Sequence, residues 1–129
     1  MGTSVFHLGV GWVAMLAGVA AGAVLGLFFH DDEWAGGYSA FRRRMLRLGH
    51  ISFFGIGILN VLFAVTLSQV ALPDTNAHIA SAGFVVAVVA MPLCCFLAAW
   101  KKPLRHLFPI PVLAVLAGIV PILQGWPAS

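Results

Sequence analysis

Long apolar runs alternate with short polar connections along this chain, and that alternation constrains the fold more than any other feature. Charged residues make up 9% of the 129 residues and hydrophobic residues 61%, and the mean hydropathy is +1.02. An average soluble domain carries about 25% charged residues. A spanning helix needs about 20 apolar residues, so four spans use nearly the whole chain. The sequence therefore predicts an all-α integral membrane protein, a single domain over 1–129 built as a four-transmembrane-helix bundle.

We predict four spans, at residues 6–29, 45–69, 77–100 and 109–126. The first is expected to be a retained helix rather than a cleaved signal. Its flank lacks Lys and Arg, and its apolar run is longer than the core of a signal peptide. Asp74 or Asn76 is expected to cap the third span, because a short polar side chain can accept from the unpaired first N–H groups of a helix.

All the Lys and Arg side chains lie in two connections. They are Arg42, Arg43, Arg44 and Arg47 in the first connection, and Lys101, Lys102 and Arg105 in the third. Short connections rich in Lys and Arg stay cytoplasmic during insertion. Both termini are therefore predicted on the non-cytoplasmic side, in a bacterial inner (cytoplasmic) membrane, with an organellar membrane as the alternative.

The basic connections also suggest what the chain contacts. Because the seven cations flank apolar spans, anionic lipid headgroups are their nearest expected partners, and a docked acidic protein is the alternative. Other membrane subunits are expected as partners as well. Nucleic-acid binding is not expected, because the positive charge belongs to the membrane interface.

Small residues recur at every fourth position of the first span: Ala14, Gly18, Gly22 and Gly26. Such spacing lets a neighbouring backbone approach closely, and we expect that neighbour inside the bundle, with another subunit as the alternative. Gly57 and Asn60 continue a matching face on the second span. Asn60 lies near mid-membrane and is expected to hydrogen-bond across the bundle.

Histidines are the residues of this chain with the clearest cofactor chemistry. His7 and His78 are predicted at one outer depth, with Gly11 and Ala14 leaving room for a ring, whereas His50 lies inside the inner half of its span and His30 flanks it. We expect interfacial or hydrogen-bonded structural histidines. The alternative is that His50, His7, His78 or His30 ligates haem b or a chlorophyll-type tetrapyrrole, and a metal site or proton relay is a third option.

Several functional classes are disfavoured by what the predicted spans lack. Apart from Arg47, at the cytoplasmic end of the second span, they contain no Asp, Glu, Lys or Arg, which disfavours an ion-coupled transporter. Hydrolase and metalloprotease motifs are missing from the sequence, so catalysis by this chain alone is not expected. Cys94 and Cys95 are expected to pack as small apolar residues, and no metal site is predicted.

Two functions remain. The favoured one is an accessory or structural subunit of a larger membrane complex, with redox or energy-converting complexes as the expected class. The alternative is an electron-transfer or pigment-bearing subunit that ligates a tetrapyrrole through transmembrane histidines.

Overall fold

The computed structural model describes residues 1–127 and shows an all-helical chain in that range. Its four long helices are α1 (Gly2–Gly26), α2 (Phe41–Gln69), α3 (Asp74–Trp100) and α4 (Pro109–Gln124). Two short 3₁₀ helices, Trp34–Gly36 and Lys102–Leu107, lie in the first and third connections. Each long helix is long and apolar enough to cross a membrane, α4 together with the 3₁₀ segment before it. The four helices expected from the apolar runs are therefore confirmed.

Helix starts differ from the predicted spans where polar residues extend a helix beyond its apolar part. α2 begins at Phe41, so the basic cluster lies on its first two turns. α3 begins at Asp74, with Pro73 at the N-cap position and no side-chain cap. The predicted capping of α3 was wrong, because its helix starts early enough to include both candidates. The amide of Asn76 instead donates to the carbonyl of Pro121, at 2.8 Å, and ties α3 to α4.

The helices pack mainly in chain order, α1 on α2, α2 on α3 and α3 on α4, as short connections require. Both basic connections meet at one end of the bundle, where Nε of Arg42 donates to the carbonyl of Ala99 at 3.0 Å. At the other end, Gly125 packs on Pro73, and Met1 lines a cavity with the segment 70–72. The start of α1, the end of α4 and the α2–α3 connection therefore share the end opposite the basic residues.

α3 is the central helix of the bundle. Half of its most apolar 18-residue window is buried, against 17% for α1. A Cβ atom added at Gly83 would lie 2.5 Å from the nitrogen of Gly118 and 2.7 Å from the carbonyl oxygen of Ala114. The α3 and α4 backbones are thus in direct contact, and close packing of this kind holds helices together where lipid removes the hydrophobic drive.

Candidate functional site

His7 lies at the centre of a polar network that joins three helices. Its imidazole is completely buried, with Nδ1 2.7 Å from Oδ1 of Asn60 on α2 and Nε2 2.8 Å from Oγ of Ser81 on α3. The Asn60 amide nitrogen donates to the carbonyl of Ile56, one turn back on its own helix, at 2.9 Å. The cross-bundle hydrogen bond expected for Asn60 is present, and its partner is His7.

The pattern of donors fixes the roles of the imidazole nitrogens. Because the Asn60 amide nitrogen points at a carbonyl, its oxygen faces His7 and must accept from Nδ1–H. In a neutral ring, Nε2 then accepts from the hydroxyl of Ser81. The ring edges of Phe63 and Phe6 close the site, with centroids 4.8 and 5.2 Å from that of His7. Both nitrogens of His7 are therefore engaged by the protein itself.

The space that the sequence suggested for a ring beside His7 is filled by α2. A Cβ atom at Gly11 would lie 2.7 Å from the carbonyl oxygen of Gly57 and 2.5 Å from a methyl group of Val61. His78 is exposed and lines a cavity of about 540 Å³ at the terminal end of the bundle. The structure thus places His7 in the closed core and His78 at an open end.

His50 occupies a second contact between α1 and α2, nearer the basic end. Its Nδ1 lies 2.8 Å from the carbonyl oxygen of Gly18 and donates to it. The imidazole lies against Gly22, where an added Cβ would be 3.0 Å from Nε2. The ring of Phe54 meets that of His50 edge-on, at 5.6 Å between centroids. His50 is partly buried, and its orientation is set by a main-chain carbonyl.

The small-residue face of α1 is occupied by side chains of α2. Ala14 faces Gly57, with 3.2 Å between the Ala14 Cβ and a Cβ added at Gly57, and the sites of Gly18 and Gly22 are filled by Phe54 and His50. Gly26, at the end of this face, has open space beside it. The partner of the face is therefore α2 of the same chain.

The remaining metal-ligand residue types lie apart from these networks. His30 and His106 are exposed in the connections, whereas Cys94 and Cys95 are free thiols buried in α3. The sulfur of Cys94 lies 3.7 Å from the carbonyl oxygen of Leu107. Across residues 1–127, no three His, Cys, Asp or Glu side chains come together as a metal site.

One arginine of the basic cluster is a core residue, which sequence reasoning missed. Arg43 is 2% exposed and donates to the carbonyls of Asp31 and Asp32 at 3.2 Å each, and to that of Phe29 at 3.5 Å. Its guanidinium also lies 4.7 Å from the centre of the Phe29 ring. Arg43 therefore holds the turn after α1. In the sequence, this role could have been suspected from the aromatic residues that precede Arg43.

An apolar groove of about 590 Å³ runs between α1 and α3. On α1 it extends from Val5 to Ala17, the ring of Phe53 on α2 reaches it, and Val85 to Val89 form its other wall. Gly9 lies in this groove, and a Cβ atom added there would meet nothing within 4 Å. Unlike Gly11, Gly18 and Gly22, this glycine is not filled by another part of the chain.

These features define a class of protein, an all-helical chain with four helices able to cross a membrane. Comparison of the chain with protein-family models, curated proteins and solved structures gives no match. A functional assignment therefore depends on the geometry alone.

Proposed function

We propose that this protein is an accessory, structural subunit of a larger membrane complex, and that its α1–α3 groove receives a transmembrane helix of a neighbouring subunit. The observation that carries the proposal is the unfilled space at Gly9. Small residues at transmembrane interfaces allow a second backbone to approach closely. A redox or energy-converting complex is the expected class, because Nδ1 of His50 bonds a main-chain carbonyl as it does in ligating imidazoles.

The polar residues of the helices support a structural role rather than a catalytic one. His7 bonds both Asn60 and Ser81, and Nδ1 of His50 donates to a carbonyl of α1. A buried polar group that already has its partners stabilises one arrangement of helices. These side chains therefore serve as internal ties between α1, α2 and α3, which leaves the apolar outer surfaces for association.

The dimensions of the groove suit a helix. Its α1 wall covers 12 residue steps from Val5 to Ala17, which is about 18 Å at the rise of an α-helix. A partner helix would contact it over about three turns. The lining is apolar throughout and consists of Val side chains with Gly9, Ala14, Ala17, Phe6 and Phe53. The occupant should therefore be apolar, with small residues where it meets Gly9.

Substitution of Gly9 by Leu tests this proposal, because the new side chain would occupy the groove without a clash inside the bundle. Gly55→Leu is the matched control, since Gly55 also lies mid-helix with open space beside it, but outside the groove. In gentle detergent, we expect stoichiometric partner subunits to copurify with the wild type and with Gly55→Leu, and to be lost with Gly9→Leu. A wild-type protein that purifies alone as a stable monomer would refute the proposal.

We further propose that both termini face away from the cytoplasm in a bacterial inner membrane. The argument is the positive-inside rule applied to the bundle end where both basic connections meet. Reporter fusions active only outside the cytoplasm should be active at either terminus. Fusions in the connection that carries Lys102 should be inactive, and the reverse pattern would overturn this topology.

A second candidate function, tetrapyrrole ligation, is supported by His50. Donation of Nδ1–H to a main-chain carbonyl is the arrangement that orients ligating imidazoles and leaves the Nε2 lone pair for a metal. The contact between His50 and Gly22 argues against tetrapyrrole ligation, because a tetrapyrrole could reach Nε2 only if α1 moved aside. A Soret band in the purified protein that His50→Ala removes and His78→Ala retains would establish haem ligation. A folded, colourless preparation would exclude it.

A further inference from the structure

The basic end of the bundle contains a pair of arginines that form no salt bridge with a carboxylate among residues 1–127. Arg43 and Arg47 are one turn apart on α2, and both guanidinium groups face the ring of Tyr38, at 5.7 and 4.2 Å from its centroid. The partners of Arg43 are main-chain carbonyls rather than carboxylates. Two cations therefore converge on one neutral aromatic ring.

Each of these arginines has a donor that is buried without an acceptor. Among residues 1–127, Nε of Arg43 and Nε of Arg47 are the two buried side-chain polar atoms that lack a hydrogen-bond partner. Arg43 as a whole is 2% exposed. A buried donor without an acceptor is destabilising, and most such groups in native structures are satisfied by a protein atom, a water molecule or a ligand.

The helix that carries the pair adds to the positive potential. The first turn of α2 contains no acidic residue, and no side chain caps its N-terminal N–H groups. The N-terminal end of a helix carries a partial positive charge, so cations there raise the potential further and an anion lowers it. The nearby carboxylate of Asp31 accepts from the main-chain N–H of Glu33, at 3.0 Å. The helix polarity and the two arginines therefore favour an anion at this position.

The loop before α2 leads directly into Tyr38, the aromatic residue of this site. Ala35, Gly36 and Gly37 have φ angles of 57°, 88° and 91°, which turns the chain sharply just before Tyr38. Glycine adopts such angles without strain. Trp34 stacks on Phe28, at 5.1 Å between ring centroids. The turn thus sets the backbone position from which Tyr38 meets the two arginines.

We infer that Arg47, with Arg43 and Tyr38, forms a binding site for a phosphate group at the membrane interface. Arginine binds phosphate through two parallel N–H groups, and Nε is one of the two in the side-on geometry. The exposed apolar side chains of Leu48 and Ile51 follow Arg47 on the same helix, as the acyl chains of a phospholipid require. An anionic lipid headgroup and free phosphate share this chemistry. The site would bind phosphate with or without a neighbouring subunit.

Binding to the full-length protein in detergent tests the site, with three separate probes: short-chain phosphatidylglycerol, short-chain phosphatidylcholine and inorganic phosphate. Arg47→Gln removes the unpaired donor, and Arg44→Gln is the matched control, because Arg44 is exposed and carries the same charge in the same turn. We expect phosphatidylglycerol to raise the melting temperature of the wild type and of Arg44→Gln. The affinity of Arg47→Gln for phosphatidylglycerol should be lower by about tenfold or more, because a charge-assisted bidentate contact is lost.

Two further variants separate recognition from charge and from folding. Arg47→Lys keeps the charge but lacks Nε, and it should lose affinity almost as far as Arg47→Gln. Tyr38→Leu removes the aromatic ring that the two arginines face, and it tests the site independently if Arg47→Gln does not fold. A response to inorganic phosphate that also requires Arg47 would support the site and identify free phosphate as its source. Equal binding by Arg44→Gln and Arg47→Gln, or full binding by Arg47→Lys, would overturn the inference.

Discussion

Nδ1 of His7 lies 2.7 Å from Oδ1 of Asn60, and this hydrogen bond joins α1 to α2 in the completely buried centre of the bundle. Through Nε2 the same imidazole also reaches Ser81 on α3. One side chain thus connects three helices. Because each partner is buried or partly buried, removal of His7 would leave an oxygen of Asn60 without its donor.

His7→Leu is therefore expected to lower the free energy of unfolding by about 1–3 kcal/mol, the cost of leaving a buried polar group unpaired. Denaturant titration of the protein in detergent micelles measures the change. Ser68→Ala is the control, because its hydroxyl makes only an exposed local hydrogen bond to the carbonyl of Val65. The double variant His7→Leu/Asn60→Leu should cost less than the sum of the two single changes. Strict additivity would show that the two residues are not coupled.

Gly22→Val should destabilise the α1–α2 contact, because the new side chain would overlap the imidazole of His50. Overpacking of this kind costs about 1–3 kcal/mol. Gly26→Val supplies the comparison, since the same change one turn later enters open space. In detergent, the melting temperature of Gly22→Val should be well below that of Gly26→Val. Equal melting temperatures would mean that α1 and α2 do not pack as described.

Gly83→Ala is expected to be costly although it adds a single methyl group. The atoms that this methyl would meet belong to the backbone of α4, which cannot rotate away as a side chain can. Separation of the two helices should lower stability by about 1–3 kcal/mol, measured by the same unfolding titration. Gly55→Ala adds the same group to an open surface and should be neutral or slightly stabilising. A neutral Gly83→Ala would contradict the direct backbone contact.

The two thiols should be unreactive in the folded protein, because Cys94 is 4% exposed and Cys95 is fully buried. Maleimide added to the protein in detergent should label neither thiol, whereas both should react after denaturation in SDS. Trp100→Cys, at an exposed position of the same helix, provides the positive control. Rapid labelling of the wild type under native conditions would show that α3 is not the buried central helix.

Local sequence patterns predicted the helices well because membrane insertion depends on local properties. A run of apolar residues is a span wherever it occurs, and a cluster of Arg marks one end of it. Helix ends were predicted less well. The apolar part of α2 begins near Met45, but the helix itself begins four residues earlier, at Phe41, because Arg is a good helix former.

The candidate site was predicted only in its parts. Asn60 was expected to bond across the bundle, and the small-residue face of α1 was expected to pack, since both follow from residue type and spacing. That His7 is the partner of Asn60, and that His50 fills the space at Gly22, depends on the rotation of α1 against α2. Helix rotation is set by the sum of many small contacts between residues that are distant in the sequence.

Hydrophobicity and charge along the chain were enough to predict that four apolar helices form and that both basic connections lie at one end of the bundle. These properties follow from hydrophobicity and charge, which act residue by residue. The packing of the helices had to be known before His7 could be placed in the core, Arg43 be found buried while Arg44 is exposed, and Gly9 be found to face unfilled space. Residues of one type in one segment differ in this way because packing places each on a particular face, and the face decides which atoms it meets.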